Sequence, residues 1–159
     1  MPAMSRQTLN SSSVEETFAI GEALGALLPA GTFVALSGNL GAGKTHLVKG
    51  IARGLGIGGW RGLRSPTFTL MQSYFDGRLP LHHIDFYRLA DAVELPGEIE
   101  EAILDRDAVT VIEWAEAWHE LWPEKCVRIE IEYVGENERE IAIDDPHSLC
   151  PAIEGVSEG

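Results

Sequence analysis

Hydrophobic and polar positions in the first third of the chain predict a helix, a buried strand and a second helix. Apolar side chains recur at helical spacing after Ser13, and Ser13 with Glu16 has the spacing of a capping box. The continuous apolar run TFVALS, residues 32–37, is typical of a strand covered on both faces. A helical pattern follows over about residues 44–55.

The rest of the chain predicts mainly strands. TFTLMQSYF and LPLHHIDFY are strand-like, and Asp76-Gly77 between them is a two-residue hairpin signal. We expect one or two short helices over residues 90–107, a second buried strand over 108–114 and a helix over about 115–121. The alternating run CVRIEIEYVGENEREIAIDD predicts an antiparallel hairpin at a sheet edge.

This order of elements predicts a single α/β domain, with a mixed central sheet flanked by helices and antiparallel hairpins at the edge. The chain has 159 residues, which is enough for one sizeable core and too few for two. We expect residues 1–12 to be a disordered leader, residues 13–145 to form the domain and residues 146–159 to be an acidic tail.

Composition narrows the classes of function. The formal net charge is −13, which argues against direct, tight nucleic-acid binding, because such binding normally uses a basic face. The same charge is compatible with a basic protein partner. No apolar run approaches the roughly 18 residues that span a membrane, and the polar N-terminus is no secretory signal, so we expect a cytoplasmic protein.

The residues Gly38-Asn39-Leu40-Gly41-Ala42-Gly43-Lys44-Thr45 match the phosphate-loop pattern G-x-x-x-x-G-K-[ST] between a predicted strand and helix. Glycines let backbone amides point at phosphate oxygens, and the helix N-terminus adds partial positive charge. We expect Lys44 to reach the β- and γ-phosphates and the Thr45 hydroxyl to ligate Mg²⁺. His46 stands where many such loops have a second hydroxyl. No guanine-binding signature is present, so ATP is the expected nucleotide.

Asp85 and Glu113 are the candidate acids of a magnesium site. Each ends an apolar strand-like run, where strands of such a fold present residues to a ligand. Either could equally be a solvated acid at a strand end. Ser65 and Thr67 offer hydroxyls in a segment that either senses a γ-phosphate or only leads into a strand, and the pattern by itself favours the second interpretation.

Three stretches together resemble the TsaE family, the small bacterial P-loop ATPases of tRNA threonylcarbamoyladenosine biosynthesis. They are SGNLGAGKT, SPTFTLMQSY followed by LHHIDFYRL, and VIEWAEAW, and the resemblance extends over about residues 13–145. The resemblance implies Walker A roles for Lys44 and Thr45, and it links the two acids Asp85 and Glu113 to Mg²⁺ and hydrolysis. It also implies that Ser65 and Thr67 belong to a switch-like segment, that Trp114 is the tryptophan beside the second acid and that Thr17 lies near the nucleotide base.

The resemblance also implies partners. It implies an accessory ATPase that docks on the TsaB and TsaD proteins and resets that complex between turnovers. Contact with tRNA would be indirect, through the complex. Two alternatives stay open. One is a small-molecule P-loop kinase, in which Arg61 and Arg64 would belong to a lid. The other is a nucleotide-gated binding module, in which hydrolysis is incidental.

Overall fold

The computed structural model describes residues 5–38, 43–66, 69–89, 93–114, 122–123, 126–146, 148 and 153. Within these residues, the strands are β1 (Ser5–Ser11), β2 (Phe33–Ser37), β3 (Met71–Tyr74), β4 (Leu81–Asp85), β5 (Val109–Glu113), β6 (Cys126–Tyr133) and β7 (Arg139–Asp145). The α-helices are α1 (Val14–Leu27), α2 (Lys44–Gly54) and α3 (Gly97–Ile103). Short 3-10 helices cover Trp60–Gly62 and Tyr87–Leu89.

All seven of these strands form one mixed sheet in the order β1-β7-β6-β2-β5-β4-β3. β2 runs parallel to both β5 and β6, and β4 runs parallel to β5. Antiparallel pairs extend the sheet on both sides, β3 with β4 on one side and β6, β7 and β1 on the other. The predicted α/β class with a mixed, helix-flanked sheet is confirmed.

Alternating side chains of β2 build the two halves of the core. Val34 and Leu36 belong to the cluster that contains the apolar residues of α1 and α2. Phe33 and Ala35 belong to a second cluster, with the apolar residues of α3. Because successive strand residues point to opposite faces, these clusters lie on the two sides of the sheet. This burial on both faces explains why the TFVALS run is continuously apolar.

The N-terminus of α1 is capped largely as its sequence predicts. The Ser13 side chain caps the helix by accepting a 3.1 Å hydrogen bond from the Glu16 N–H. The Glu16 carboxylate reaches back to the N–H of Ser12, at 2.7 Å, one residue earlier than in the usual capping box. The bond to the Glu16 N–H satisfies an amide that a helix start leaves without a partner, so it marks where α1 begins.

Glycines bring α1 and α2 into backbone contact. A Cβ added at Gly25 would overlap the backbone oxygen of Ile51, and a Cβ at Gly50 would overlap that of Phe18. The same holds for the other two glycines of the contact, Gly21 and Gly54. The two helices therefore pack as one close pair behind the phosphate-loop strand.

The expected disordered leader is wrong for residues 5–11, which form β1. This strand pairs along its whole length with β7, and Leu9 in it is fully buried. The side chain of Gln7 exchanges two hydrogen bonds with the backbone of Ile153, at 2.9 and 3.0 Å. Because backbone pairing supplies most of its contacts, β1 has little apolar patterning. β1 also covers the β6–β7 hairpin, so the outer edge of the sheet is β1 itself.

The hairpin of β3 and β4 is confirmed, but its connection is longer than the Asp76-Gly77 signal predicts. Tyr74 pairs with Leu81, so six residues connect the strands. The turn is longer because it docks on the helix pair: the Arg78 guanidinium donates to the Gly25 carbonyl at 2.7 Å. Turn sequence alone therefore gives the hairpin but not its loop length.

The predicted short helix near Pro96-Gly97 is confirmed as α3. The helix expected over about residues 115–121 lies outside the described residues, as does most of the acidic tail. Ile153, the one described residue near the end of that tail, is buried in the core beside α1 and α2. No helix among the described residues has the length and apolar character needed to cross a membrane.

We expect Gly25→Ala to lower the free energy of unfolding by about 1–3 kcal/mol, because its methyl group would force α1 away from the Ile51 carbonyl. The measurement is the midpoint of urea unfolding. Gly97→Ala is the matched control, since it also lies in a helix and a Cβ there meets no atom within 4 Å. Equal stability of the two variants would contradict the close helix packing.

Candidate functional site

The candidate site lies where the central parallel strands end. β5 lies between β2 and β4, and its last residue Glu113 pairs in register with Asp85 of β4 and Leu36 of β2. The predicted phosphate loop, residues 38–45, begins directly after β2. The start of this loop and the two acids were predicted from separate parts of the sequence. They thus lie together at the carboxyl ends of the parallel strands.

The two ends of the phosphate loop lie within the described residues. Asn39, Leu40, Gly41 and Ala42 lie outside the described residues. Gly43 begins α2 with a left-handed φ of 105°, which favours glycine. Lys44 is only 6% exposed, and its Nζ donates a 2.8 Å hydrogen bond to the Gly38 carbonyl. The lysine therefore reaches back to the first residue of the loop.

Thr45 and His46 follow Lys44 in the first turn of α2, and both are half-buried. Burial, followed by the nearby charges of Lys49 and Arg139, lowers the pKa of His46 below its ordinary 6.5, against a smaller opposing effect of Glu15. The imidazole is therefore mostly uncharged at neutral pH. His46 adds a polar ring to this helix turn without adding a second cation beside Lys44.

Ser65 joins the two candidate acids. Its Oγ lies 3.0 Å from Asp85 Oδ2 and 3.2 Å from Glu113 Oε2, and its single proton can be donated to one of them at a time. Asp85 Oδ1 also accepts a 2.9 Å hydrogen bond from the N–H of Tyr87. The segment that contains Ser65 therefore contacts both acids directly, whereas Thr67 lies outside the described residues.

Sequence reasoning missed a residue of this cluster, His83. The strand periodicity of β4 sends His82 and His83 to opposite faces, and the two rings bind different acids. His83 Nε2 lies 2.6 Å from Glu113 Oε2, and the His83 side chain is fully buried. Its position two residues before Asp85, and thus on the same strand face, was the only signal in the sequence.

Glu113 is held in its ionised form although it is only 3% exposed. Burial by itself raises the pKa of this carboxyl, but the hydrogen bond and charge of His83, the charge of Lys44 and the hydrogen bond of Ser65 together lower the pKa below the ordinary 4.5. Both hydrogen bonds fall on Oε2. Among the described residues, Glu113 Oε1 accepts no hydrogen bond.

Trp114 extends the cluster toward Lys44. It follows Glu113 with a left-handed φ of 58°, and its ring is half-buried. Lys44 Nζ lies 4.1 Å from the centre of the Trp114 ring, which is a cation–π contact. The centres of the Trp114 and Tyr87 rings are 5.2 Å apart. Trp114 therefore lies at the predicted site.

Thr17 occupies a different environment. It lies in α1, is fully buried, and its hydroxyl is 2.7 Å from that of Ser11 and 3.3 Å from the Ser13 carbonyl. Its hydroxyl thus joins the end of β1 to the start of α1. A contact of Thr17 with a nucleotide base stays a prediction.

The donor set at the site suits a hard divalent cation. Carboxylate and hydroxyl oxygens of Asp85, Glu113, Ser65 and Thr45 are the ligand types that Mg²⁺ prefers. In the described part of the chain, no three His, Cys, Asp or Glu side chains converge in a way that would hold an ion by themselves. Magnesium commonly binds through one or two carboxylates plus phosphate and water oxygens, and this donor set fits that pattern.

Comparisons with known proteins agree on one family. Residues 11–141 match the family model described as "Threonylcarbamoyl adenosine biosynthesis protein TsaE". The tRNA threonylcarbamoyladenosine biosynthesis protein TsaE of Bacillus subtilis is 43% identical over 131 residues, covering 80% of this chain and 78% of the relative. The protein of the same name from Treponema pallidum is 41% identical over 133 residues, covering 84% of this chain and 96% of the relative.

A solved structure shares the fold. The crystal structure of Bacillus subtilis YdiB superposes with a TM-score of 0.74 and 32% sequence identity. The match covers 93% of this chain and 90% of that protein. The similarity therefore extends over almost the whole of both chains.

The lowered pKa of Glu113 predicts a pH-dependent contribution to stability. Its carboxylate stabilises the folded chain above the ordinary pKa of 4.5, and this contribution is lost as the pH falls through the lower pKa of the folded state. We expect the difference in unfolding free energy between the wild type and Glu113→Gln to shrink between pH 7 and pH 3, measured by urea unfolding. Glu101→Gln, at an exposed residue of α3, is the control and should follow the wild-type pH profile.

Proposed function

The chain belongs to the TsaE family of tRNA threonylcarbamoyladenosine biosynthesis, and on that premise we propose that it is a magnesium-dependent ATPase. ATP would bind at residues 38–46. One observation carries the proposal: the register of β4 with β5 brings Asp85 and Glu113 together beside Lys44 and the start of α2. A cation, two carboxylates and a helix N-terminus at the carboxyl ends of neighbouring strands are the groups that binding and hydrolysis of a triphosphate need.

Lys44 and Thr45 would hold the triphosphate. The Lys44 ammonium now donates to the Gly38 carbonyl, and exchanging that neutral acceptor for phosphate oxygens gives stronger, charge-assisted hydrogen bonds. Thr45 and Asp85 would hold the metal ion. When bound, Mg²⁺ supplies positive charge that stabilises the charge developing on the transferred phosphoryl group.

Glu113 would orient the attacking water. A carboxylate with a lowered pKa is a weak base, so orientation and electrostatic stabilisation are its more effective contributions. Its Oε2 is engaged by His83 and Ser65. Oε1 is then the oxygen that accepts a hydrogen bond from water. Trp114 and Ser65 would respond to the nucleotide, because each already contacts a charged group of the site.

The partners we propose are TsaB and TsaD, with tRNA reached only through them. In this proposal, hydrolysis resets the TsaB–TsaD complex between turnovers. The net charge of −13 supports recognition of protein rather than direct binding of RNA. ATP itself carries four negative charges, so the concentration of positive charge at Lys44 and the start of α2 matters more for nucleotide binding than the overall charge.

A kinase remains the second candidate because of one cleft. A cavity of about 320 Å³ lies beside Ser65, with Arg64 and Gln72 in its lining, and such a volume could admit a small acceptor. Arg61, the other predicted lid residue, lies 4.6 Å over the ring of Trp60. Phosphate transfer to a metabolite faster than transfer to water would favour the kinase over the ATPase.

We expect Lys44→Ala to weaken ATP binding at least about 100-fold, or roughly 3 kcal/mol, because the triphosphate would lose its fixed cation. Isothermal titration with ATP and Mg²⁺ measures this. Lys49→Ala, also on α2 but outside the loop, is the matched control and should bind ATP as the wild type does. Unchanged affinity in Lys44→Ala would remove the nucleotide site from the phosphate loop.

We expect slow ATP hydrolysis by the isolated chain and faster hydrolysis when TsaB and TsaD are added. Glu113→Gln should keep ATP binding and lose hydrolysis, and the modifying complex should then stop after about one turnover. The measurements are phosphate release and modified tRNA formed per complex. Many turnovers with Glu113→Gln would support a nucleotide-gated module instead, and absence of stimulation by a competent TsaB–TsaD pair would count against these partners.

A further inference from the structure

His83 has an unusual environment for a core histidine. It is completely buried on β4, the strand that lies between β3 and β5 in the sheet. Its Nε2 lies 2.6 Å from Glu113 Oε2, whereas its Nδ1 is buried without a hydrogen-bond partner in the described part of the chain. Burying a polar atom without a partner is unfavourable, so an apolar residue would suit packing alone better.

We propose that His83 is a positioning residue for ATP hydrolysis, a role that rests on the proposed ATPase function. Its Nε2–H holds Oε2 of Glu113, so that rotation of the carboxylate is restricted and Oε1 stays directed at the attacking water. A second donor, the Ser65 hydroxyl, is 3.2 Å from the same oxygen. Ser65 belongs to a loop, whereas His83 is held by the ladder of β4, so the histidine is the more rigid of the two supports.

The neighbouring histidine shows what a structural role looks like on the same strand. His82 is also buried and also binds an acid, with Nε2 2.9 Å from Asp105 Oδ2. Its Nδ1 is paired as well, 2.7 Å from the Ser73 hydroxyl. Both ring nitrogens of His82 thus have partners away from Asp85 and Glu113. His82 therefore provides a matched control within one strand.

The test separates the two ring nitrogens of His83. A glutamine amide nitrogen takes the place of Nε2 and can still donate to Glu113, whereas an asparagine nitrogen takes the place of Nδ1 and cannot. We expect His83→Gln to keep kcat within about 3-fold of wild type and His83→Asn to lose about 10- to 100-fold, with the Kd for ATP changed less than about 3-fold in both. The assay uses the full chain with TsaB and TsaD.

The same two substitutions at His82 should leave kcat within about 3-fold of wild type. Equal kcat for His83→Gln and His83→Asn would overturn the inference, and so would a matching loss in the His82 pair. Both results would leave the ATPase assignment standing, since the wild type would still hydrolyse ATP. Absence of hydrolysis by the wild type would instead overturn the proposed function.

A second measurement does not depend on hydrolysis. In nucleotide-free protein labelled with ¹⁵N-histidine, a hydrogen bond as short as 2.6 Å should move the His83 ring N–H proton downfield and protect it from exchange with water. We expect this signal in the wild type and its loss in Glu113→Ala, with the His82 signal unchanged. A wild-type spectrum without a protected His83 ring proton would overturn the inference whatever the ATPase assay shows.

Discussion

The hydrogen-bonded ladder between β4 and β5 is the constraint on which the site depends. Its register pairs Asp85 directly with Glu113, and the neighbouring ladder pairs Glu113 with Leu36, two residues before the phosphate loop begins. A slip of one residue would turn one acid to the other face of the sheet and separate it from Ser65 and Lys44. The sheet is buried on both sides, so such a slip would also expose apolar side chains, and packing thereby protects the site geometry.

The buried charges form a balanced set rather than isolated groups. Burial raises the pKa of Glu113, whereas His83, Lys44 and Ser65 together lower the pKa below its ordinary value, so the carboxyl stays ionised. Lys44 in turn contacts the Trp114 ring and the Gly38 carbonyl. Hydrogen-bond donors and positive charge thus lie beside the carboxylate, and electron-rich groups lie beside the ammonium. A bound triphosphate with its metal ion would therefore meet charged and polar groups that are already in position.

Local patterns could predict part of this molecule, and long-range pairing decides the rest. The continuous apolar runs predicted β2 and β5. The acids at the ends of β4 and β5 predicted Asp85 and Glu113 as site residues. β1 was missed because Leu9 is its only strongly apolar residue and its partner strand lies far away in sequence. His83 was missed because a histidine within a strand has no pattern that tells a support for Glu113 from ordinary core packing. The register of β4 with β5 likewise cannot be predicted from the sequence of either strand alone.

The pairing of β1 with β7 has a consequence for the order of events during translation. Ser5 pairs with Asp145, so β1 leaves the ribosome long before its partner β7 and cannot pair with it until β7 has been made. Until β7 is made, β1 has no partner strand in this sheet. Contacts between such distant residues form slowly, and an unpaired edge invites association with other chains. Shielding of the nascent chain by a chaperone would therefore have its greatest effect while β1 is still without its partner strand.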